Sequence, residues 1–359
     1  MLRVALDARL ERLRAKYGIP GISASILFAD GSVWHGATGL ADVAAKRRVT
    51  DETAYPVASI SKTFTAALIL GLAEDGLLDL DTSVRSYLPT LGISRAITVR
   101  QLLDHTSGLR DFYFHPRIDK DLLTKPARVW DAARSLRYVG KPYGRPGVSW
   151  RYSNTNYLIL GLVAEAVGGR SVAEQLRARF LGPLGLERTF YQVAEKPRGP
   201  MVRSYRFAGT NLKLPGIDLS DGTPVVPFTS VVTAAGAAGS IASTPSDLVR
   251  WARALYGGSV LAPATRVEMV RGVSRTAPYG AAAPYGLGVQ TVAIAGHPTL
   301  GHSGRFLGAR GAIRWLTDER IAIAVVTNQS RSDTNVVLAD LLRLALTPQP
   351  DCLTCPAVP

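Results

Sequence analysis

Strand-type patterns stand near the two ends of this chain and are scarce in its middle, and that distribution narrows the possible folds more than any other feature. Residues 22–28 and 32–38 read as two strands joined at Asp30-Gly31, a hairpin turn pair. Residues 285–294, 309–316 and 320–326 read as three successive strands, the last two joined near Thr317-Asp318. From about 76 to 227 β-branched runs are few, and loops, turn clusters and helices take over. Helical spacing of Leu2, Leu6, Leu10, Leu13 and Tyr17 predicts an opening amphipathic helix ended by Gly18 and Pro20. Residues 63–72 predict an apolar helix buried on more than one face, and 334–346 a closing helix before Pro348. Ser171-Val172-Ala173-Glu174 is a capping box that opens a short helix. With 359 residues available, the expectation is an α+β chain. Its sheet domain would be discontinuous (1–75 and 230–347), with a mainly helical domain (76–229) inserted and a tail (348–359). A cleft between two such regions is a common place for an active site.

Charged residues make up 19% and hydrophobic residues 47%, which excludes a disordered or fibrous chain. The longest strongly apolar run, 64–73, is well short of the ~20 residues that span a bilayer, so no membrane span is expected. Asp7 and Arg9 interrupt the stretch a signal peptide would keep apolar. A cytoplasmic protein is expected if Met1 is the native start, and a secreted or periplasmic one if a leader was removed. The net charge of +14 comes mostly from scattered arginines, with no basic stripe interleaved with aromatics, so nucleic acid is not an expected partner. Cys352 and Cys355 sit among Pro348, Pro350, Pro356 and Pro359, which reads as a dispensable tail rather than a redox or zinc site. Five scattered histidines and the lack of an H-E-x-x-H pattern offer no metal spacing. Nothing in the sequence sets an oligomeric state.

Three short elements could carry chemistry. In Ser59-Ile60-Ser61-Lys62, a serine and a lysine three apart share one helix face at a helix start, where free N–H groups point outward. A lysine buried there could act as base toward the serine hydroxyl, although a helix cap beside a solvated lysine fits the same residues. In Tyr152-Ser153-Asn154, an extended backbone projects the phenol and the amide the same way, and a cap after a turn is the blander reading. In His302-Ser303-Gly304, read as a glycine-rich turn between strands, Gly304 permits close backbone approach of a substrate. Gly301-His302-Ser303-Gly304 is not a G-x-S-x-G elbow, so an α/β-hydrolase nucleophile is not expected.

Taken in order, these elements resemble the S-x-x-K, Y-x-N and H/K-x-G motifs of serine penicillin-recognising enzymes. The similar branch contains class C β-lactamases, D-alanyl-D-alanine carboxypeptidases and β-lactamase-like esterases. Further similar stretches are Leu102-Leu103-Asp104-His105-Thr106-Ser107-Gly108-Leu109, Ser243-Thr244-Pro245-Ser246-Asp247-Leu248 and Tyr285-Gly286-Leu287-Gly288. The likeness runs over residues 5–346 and implies a β-lactamase/transpeptidase-like fold, an antiparallel sheet flanked by terminal helices plus the inserted helical domain.

The resemblance also implies roles. Ser59 would attack a carbonyl and form an acyl-enzyme. Lys62 would deprotonate Ser59, and Tyr152 would pass a proton to the leaving group and later activate water. Asn154 would orient Lys62 and the substrate amide. His302, where many relatives have lysine, would tune Tyr152 electrostatically. The backbone N–H groups of Ser59 and Arg305, beside Gly304, would form the oxyanion hole. No metal or cofactor is implied. His105 reads as the cap of a structural loop. Carboxypeptidase relatives have an arginine shortly after the Tyr285-Gly286-Leu287-Gly288 stretch; here Gln290-Thr291-Val292 follows, and Arg305 or Arg310 would have to substitute. The expected partner is a small-molecule or peptide substrate. A D-alanyl-D-alanine carboxypeptidase-like peptidase leads, ahead of an esterase or D-amino-acid amidase, with β-lactam hydrolysis third. A catalytically silent binding module of the same fold is the non-enzyme rival.

Overall fold

A computed structural model describes residues 1–206, 217–219, 228–272, 274–276 and 283–347 of the chain. All seven residues of Gly21–Leu27 and all seven of Ile321–Thr327 are buried, the pattern of central strands covered on both faces. In chain order the main sheet comprises β1 (Gly21–Leu27), β2 (Val33–Asp42), β3 (Arg47–Arg48), β4 (Ser274–Thr276), β5 (Ala283–Tyr285), β6 (Gln290–Ile294), β7 (His297–Phe306), β8 (Ala309–Leu316) and β9 (Ile321–Thr327). Its spatial order is β3-β2-β1-β9-β8-β7-β6-β5-β4, antiparallel throughout. The first and last strands of the chain therefore meet inside the sheet, as third and fourth of its nine strands, Ile22 facing Thr327 and Ile26 facing Ile323.

Helices cover both faces. On one, α1 (Leu2–Lys16) places Leu6, Leu10 and Leu13 against Ile22, Ile26 and Ile323. The closing helix Thr334–Leu346 adds Leu338, Leu341 and Leu342 to that layer. On the other face lie α2 (Ser61–Glu74), α3 (Asn154–Gly168) and α4 (Pro245–Gly257). Their Leu68, Tyr157 and Trp251 share one continuous core with Ile313 and Ala324 of the sheet. Each start signal has its local cause: Thr244 accepts the Asp247 N–H ahead of Pro245, and Ser171 and Glu174 exchange both bonds of a capping box.

Two sequence expectations are corrected. Residues 285–294 form two strands, not one. Gly288 turns the chain at φ +79 so close to α2 that a Cβ would collide with Ala66 and lie 2.8 Å from the Tyr157 oxygen. Residues 302–304, expected in a turn, lie inside β7 and pair with 311–313 of β8. Gly301, Gly304 and inward polar side chains hide the strand's alternation. The tail 348–359, with Cys352 and Cys355, falls outside the described residues, as does much of 207–227.

Candidate active site

Ser59 sits in a 3₁₀ turn, Ala58–Ile60, that runs directly into α2. Ala58 holds φ 48, a left-handed conformation that a non-glycine residue adopts only under constraint from its surroundings. The constraints are visible: Val57 N–H donates to Ile241 O (3.0 Å), Ile241 N–H to Ser61 Oγ (3.0 Å), and Thr65 Oγ1 to Ala237 O (2.7 Å). From Ser61 to Leu72 every residue of α2 is buried, so the expected apolar helix is central and carries Lys62 inward with it.

The Lys62 ammonium has no exposed surface. Its Nζ lies 2.9 Å from Ser59 Oγ, 2.7 Å from Asn154 Oδ1 and 2.9 Å from Ala238 O. Burial pulls its pKa from 10.5 to about 7, while the Asp111 carboxylate pulls the other way. A carbonyl and an amide oxygen can only accept. Once Lys62 loses a proton, its two remaining hydrogens satisfy those two acceptors and its lone pair is left facing the Ser59 hydroxyl. The site can thus generate a serine nucleophile near neutral pH.

Tyr152 and Asn154 converge on Lys62 as their i, i+2 spacing predicted, because Ser153 is extended (φ −147, ψ 120) immediately before α3. Lys62 Nζ stands 5.0 Å from the Tyr152 ring centre; Tyr152 is half-buried as a residue, and its phenol oxygen is buried. Behind it, His105 adopts φ 64 and is fully buried; its Nδ1 accepts the Ser153 N–H (3.2 Å), and its ring packs 4.3 Å from that of Tyr152. Asp111 was not singled out in the sequence. It is 3% exposed and accepts from Asn154 Nδ2 (2.7 Å), Asn154 N–H (3.1 Å) and Tyr113 N–H (3.0 Å). An aspartate N-cap of a three-residue turn carries no pattern that marks it in advance.

The third wall is the edge of β7. Pairing with β6 ends at Gly301, while β8 continues alongside to Phe306. Ser303 N–H bonds Gln290 Oε1 (3.0 Å) on the β6 side, so by period two the Arg305 N–H leaves from that same edge, past the end of β6. Gly304 packs so tightly on the Ser59 turn that a Cβ would clash with Val57 O and lie 3.0 Å from Ser59 N. The close approach made possible by Gly304 is therefore to the Ser59 turn itself, and it brings the Ser59 and Arg305 backbones together.

His302 stands on β7 beside Tyr285. It is fully buried, and burial together with nearby Lys62 holds its pKa well below the ordinary range, so the ring is neutral. Nδ1 lies 2.6 Å from Ser303 O, which can only accept; the hydrogen is on Nδ1, and Nε2 accepts from the Tyr285 hydroxyl at 3.0 Å. The ring centres of His302 and Tyr152 are 6.3 Å apart. A neutral ring bonded to Tyr285 does not replace the charge of a lysine. Gln290 is likewise occupied, its Oε1 accepting from Ser303 N–H and from buried Arg314 (3.2 Å). Arg310 pairs with Asp333 (3.0 Å), whereas Arg305 is exposed at the cleft.

Ser59 opens into a cleft of about 270 Å³. One wall is apolar, from Leu122, Leu123, Val231, Phe306 and Leu307; Asp119 and Arg305 bring opposite charges to it.

Residues 6–347 match the family described as Beta-lactamase. The chain belongs to that family. In sequence, this beta-lactamase-family protein is 29% identical to penicillin-binding protein 4 of Amycolatopsis lactamdurans over 89% of this chain and 84% of that one. It is 28% identical to a D-aminopeptidase of Cereibacter sphaeroides over 95% of its own length, but spans only 63% of that relative. The crystal structure of a D-amino acid amidase from Ochrobactrum anthropi SV3, complexed with L-phenylalanine amide, superimposes with a TM-score of 0.81 at 26% identity, covering 96% of this chain and 98% of the amidase. The protein is a serine hydrolase of this family, with the β-lactamase/transpeptidase fold that the motifs implied.

Proposed function

We propose that the protein hydrolyses amides and short peptides of D-amino acids that carry a free α-ammonium group and an apolar side chain. The observation that carries this reading is Asp119, a carboxylate on a largely apolar cleft that also holds Ser59. An ammonium group seeks such a carboxylate, and the apolar wall suits the side chain beside it. The D configuration is supported by the relatives, a D-aminopeptidase and a D-amino acid amidase. In the acylation step neutral Lys62 takes the Ser59 proton, Ser59 Oγ attacks the carbonyl carbon, and the Ser59 and Arg305 N–H groups receive the developing oxyanion. Tyr152 gives its phenolic proton to the departing amine and recovers one from the Lys62 ammonium; water then attacks the acyl carbonyl, releasing the acid and restoring the Ser59 hydroxyl.

Comparing D-phenylalanine p-nitroanilide with its N-acetylated twin tests the reading. Preference for the free amine by about tenfold or more in kcat/KM, near 1.4 kcal/mol, is expected. Asp119→Asn should narrow that ratio. Equal or faster hydrolysis of the acetylated compound overturns the proposal. A carboxypeptidase acting on D-alanyl-D-alanine termini is the second reading; Arg305, exposed at the cleft, is the observation that favours it, because its guanidinium suits a terminal carboxylate. Faster turnover of an acylated D-alanyl-D-alanine peptide than of either anilide would select it.

A further inference from the structure

We propose that Asp111 is a positioning residue for acylation: its carboxylate fixes the Asn154 amide with the oxygen toward Lys62 and balances the charge of Lys62. The inference rests on Ser59 and Lys62 acting as proposed above, and is independent of which amide or ester is cleaved.

A carboxylate only accepts, so the Asn154 face that meets Asp111 must be the NH₂ face (Nδ2 to Oδ2, 2.7 Å), which leaves Oδ1 for Lys62 at 2.7 Å. With the amide reversed, N–H groups would face the ammonium and Lys62 would lose one of its two obligate acceptors. Its lone pair would then no longer be directed only at Ser59. Asp111 is itself pinned, because its side chain also accepts the Tyr113 N–H and the Asn154 N–H at the start of α3. All three of these hydrogen bonds have Asp111 accepting, an arrangement that suits the ionised form. Burial pushes its carboxyl upward, and the N–H donors together with Lys62 restrain it.

The remaining groups around Lys62 do not supply this charge. His105 and His302, which both feel the Lys62 charge, are buried and held well below the ordinary histidine range. Tyr152 and Tyr157 present ring faces at 5.0 and 5.4 Å, and Ser59, Asn154 and the Ala238 carbonyl are neutral. Asp111 is the anion whose charge acts on Lys62 among the described residues.

The test is the pH profile of kcat/KM for p-nitrophenyl acetate, read as the part that Ser59→Ala abolishes. Activity requires neutral Lys62, so it rises with pH through the Lys62 pKa. Removing a neighbouring anion disfavours the ammonium and moves that rise to lower pH. Asp111→Asn is expected to shift the limb down by about one pH unit and to lower the plateau about 10-fold or more, mainly in kcat, because the amide is no longer held one way. Asp111→Glu keeps the charge and should leave the limb within about 0.3 unit of the parent. A limb unmoved in Asp111→Asn, with Ser59-dependent turnover retained, overturns this proposal alone. Should Asp111→Asn not fold, Asp111→Glu decides: a limb displaced downward overturns the charge role, and a limb in place with a lowered plateau upholds it. Turnover that survives Ser59→Ala overturns the function reading instead.

Discussion

At the scale of single residues, the site depends on where one lysine is buried. Lys62 is fully enclosed, and its pKa falls to about 7 because the ammonium loses its hydration. The neutral form is then available at physiological pH, which a solvated lysine would not provide. The kcat/KM of the free enzyme is therefore expected to rise through about pH 7, measured from pH 5 to 9 at constant ionic strength. A profile flat from pH 5 to 9, or one that begins to rise only near pH 9, would overturn Lys62 as a base that is neutral near pH 7. The S-x-x-K spacing was legible in the sequence because it puts both side chains on one helix turn. Burial was not, because it depends on what packs around α2. His302 shows the same division: the residue was found, but its neutral state follows from enclosure and from the Tyr285 hydroxyl at 3.0 Å.

At the scale of elements, the proposed oxyanion site requires the Ser59 turn and the edge of β7 to touch. Gly304 makes that contact, with no room for a Cβ against Val57 O. Gly304→Ala is expected to lower kcat/KM by about 100-fold or more, since small displacements of a positioned group cost that much. Loss of stability should be only about 1–3 kcal/mol. Activity within a few-fold of the parent, with thermal stability unchanged, would show that β7 does not position the site. Helices α1 and Thr334–Leu346 were readable from apolar spacing and their ends. Strand β7 was not, because its polar face meets the site rather than water, and alternation then loses its meaning.

At the scale of the whole molecule, one face of the sheet and the inserted helices share a continuous apolar core. Phe64 of α2 stacks on Trp251 of α4 with ring centres 4.1 Å apart, and Trp251 Nε1 donates to Thr63 Oγ1 at 2.9 Å. The same cluster includes Leu102 and Tyr157 from the insert and Ile313 from the sheet. Unfolding in urea is therefore expected as one transition, with circular dichroism and tryptophan fluorescence coinciding. Trp251→Ala should lower its free energy by about 3–5 kcal/mol. Two separated transitions, only one of them moved by Trp251→Ala, would show that the regions fold independently.

The sequence by itself determined the helix ends, the hairpin at Asp30-Gly31, the two-ended sheet and three short motifs in order, because these rest on local spacing and backbone preference. Only the tertiary structure decided what the motifs become together. Asp111 and Asn154 lie 43 positions apart, Lys62 and Ala238 lie 176 apart, and Lys62 meets Asn154, 92 positions on, through the packing of the insert against the sheet. Desolvation, charge balance and the direction of a lone pair are properties of enclosed space, and a linear pattern of residues does not contain them.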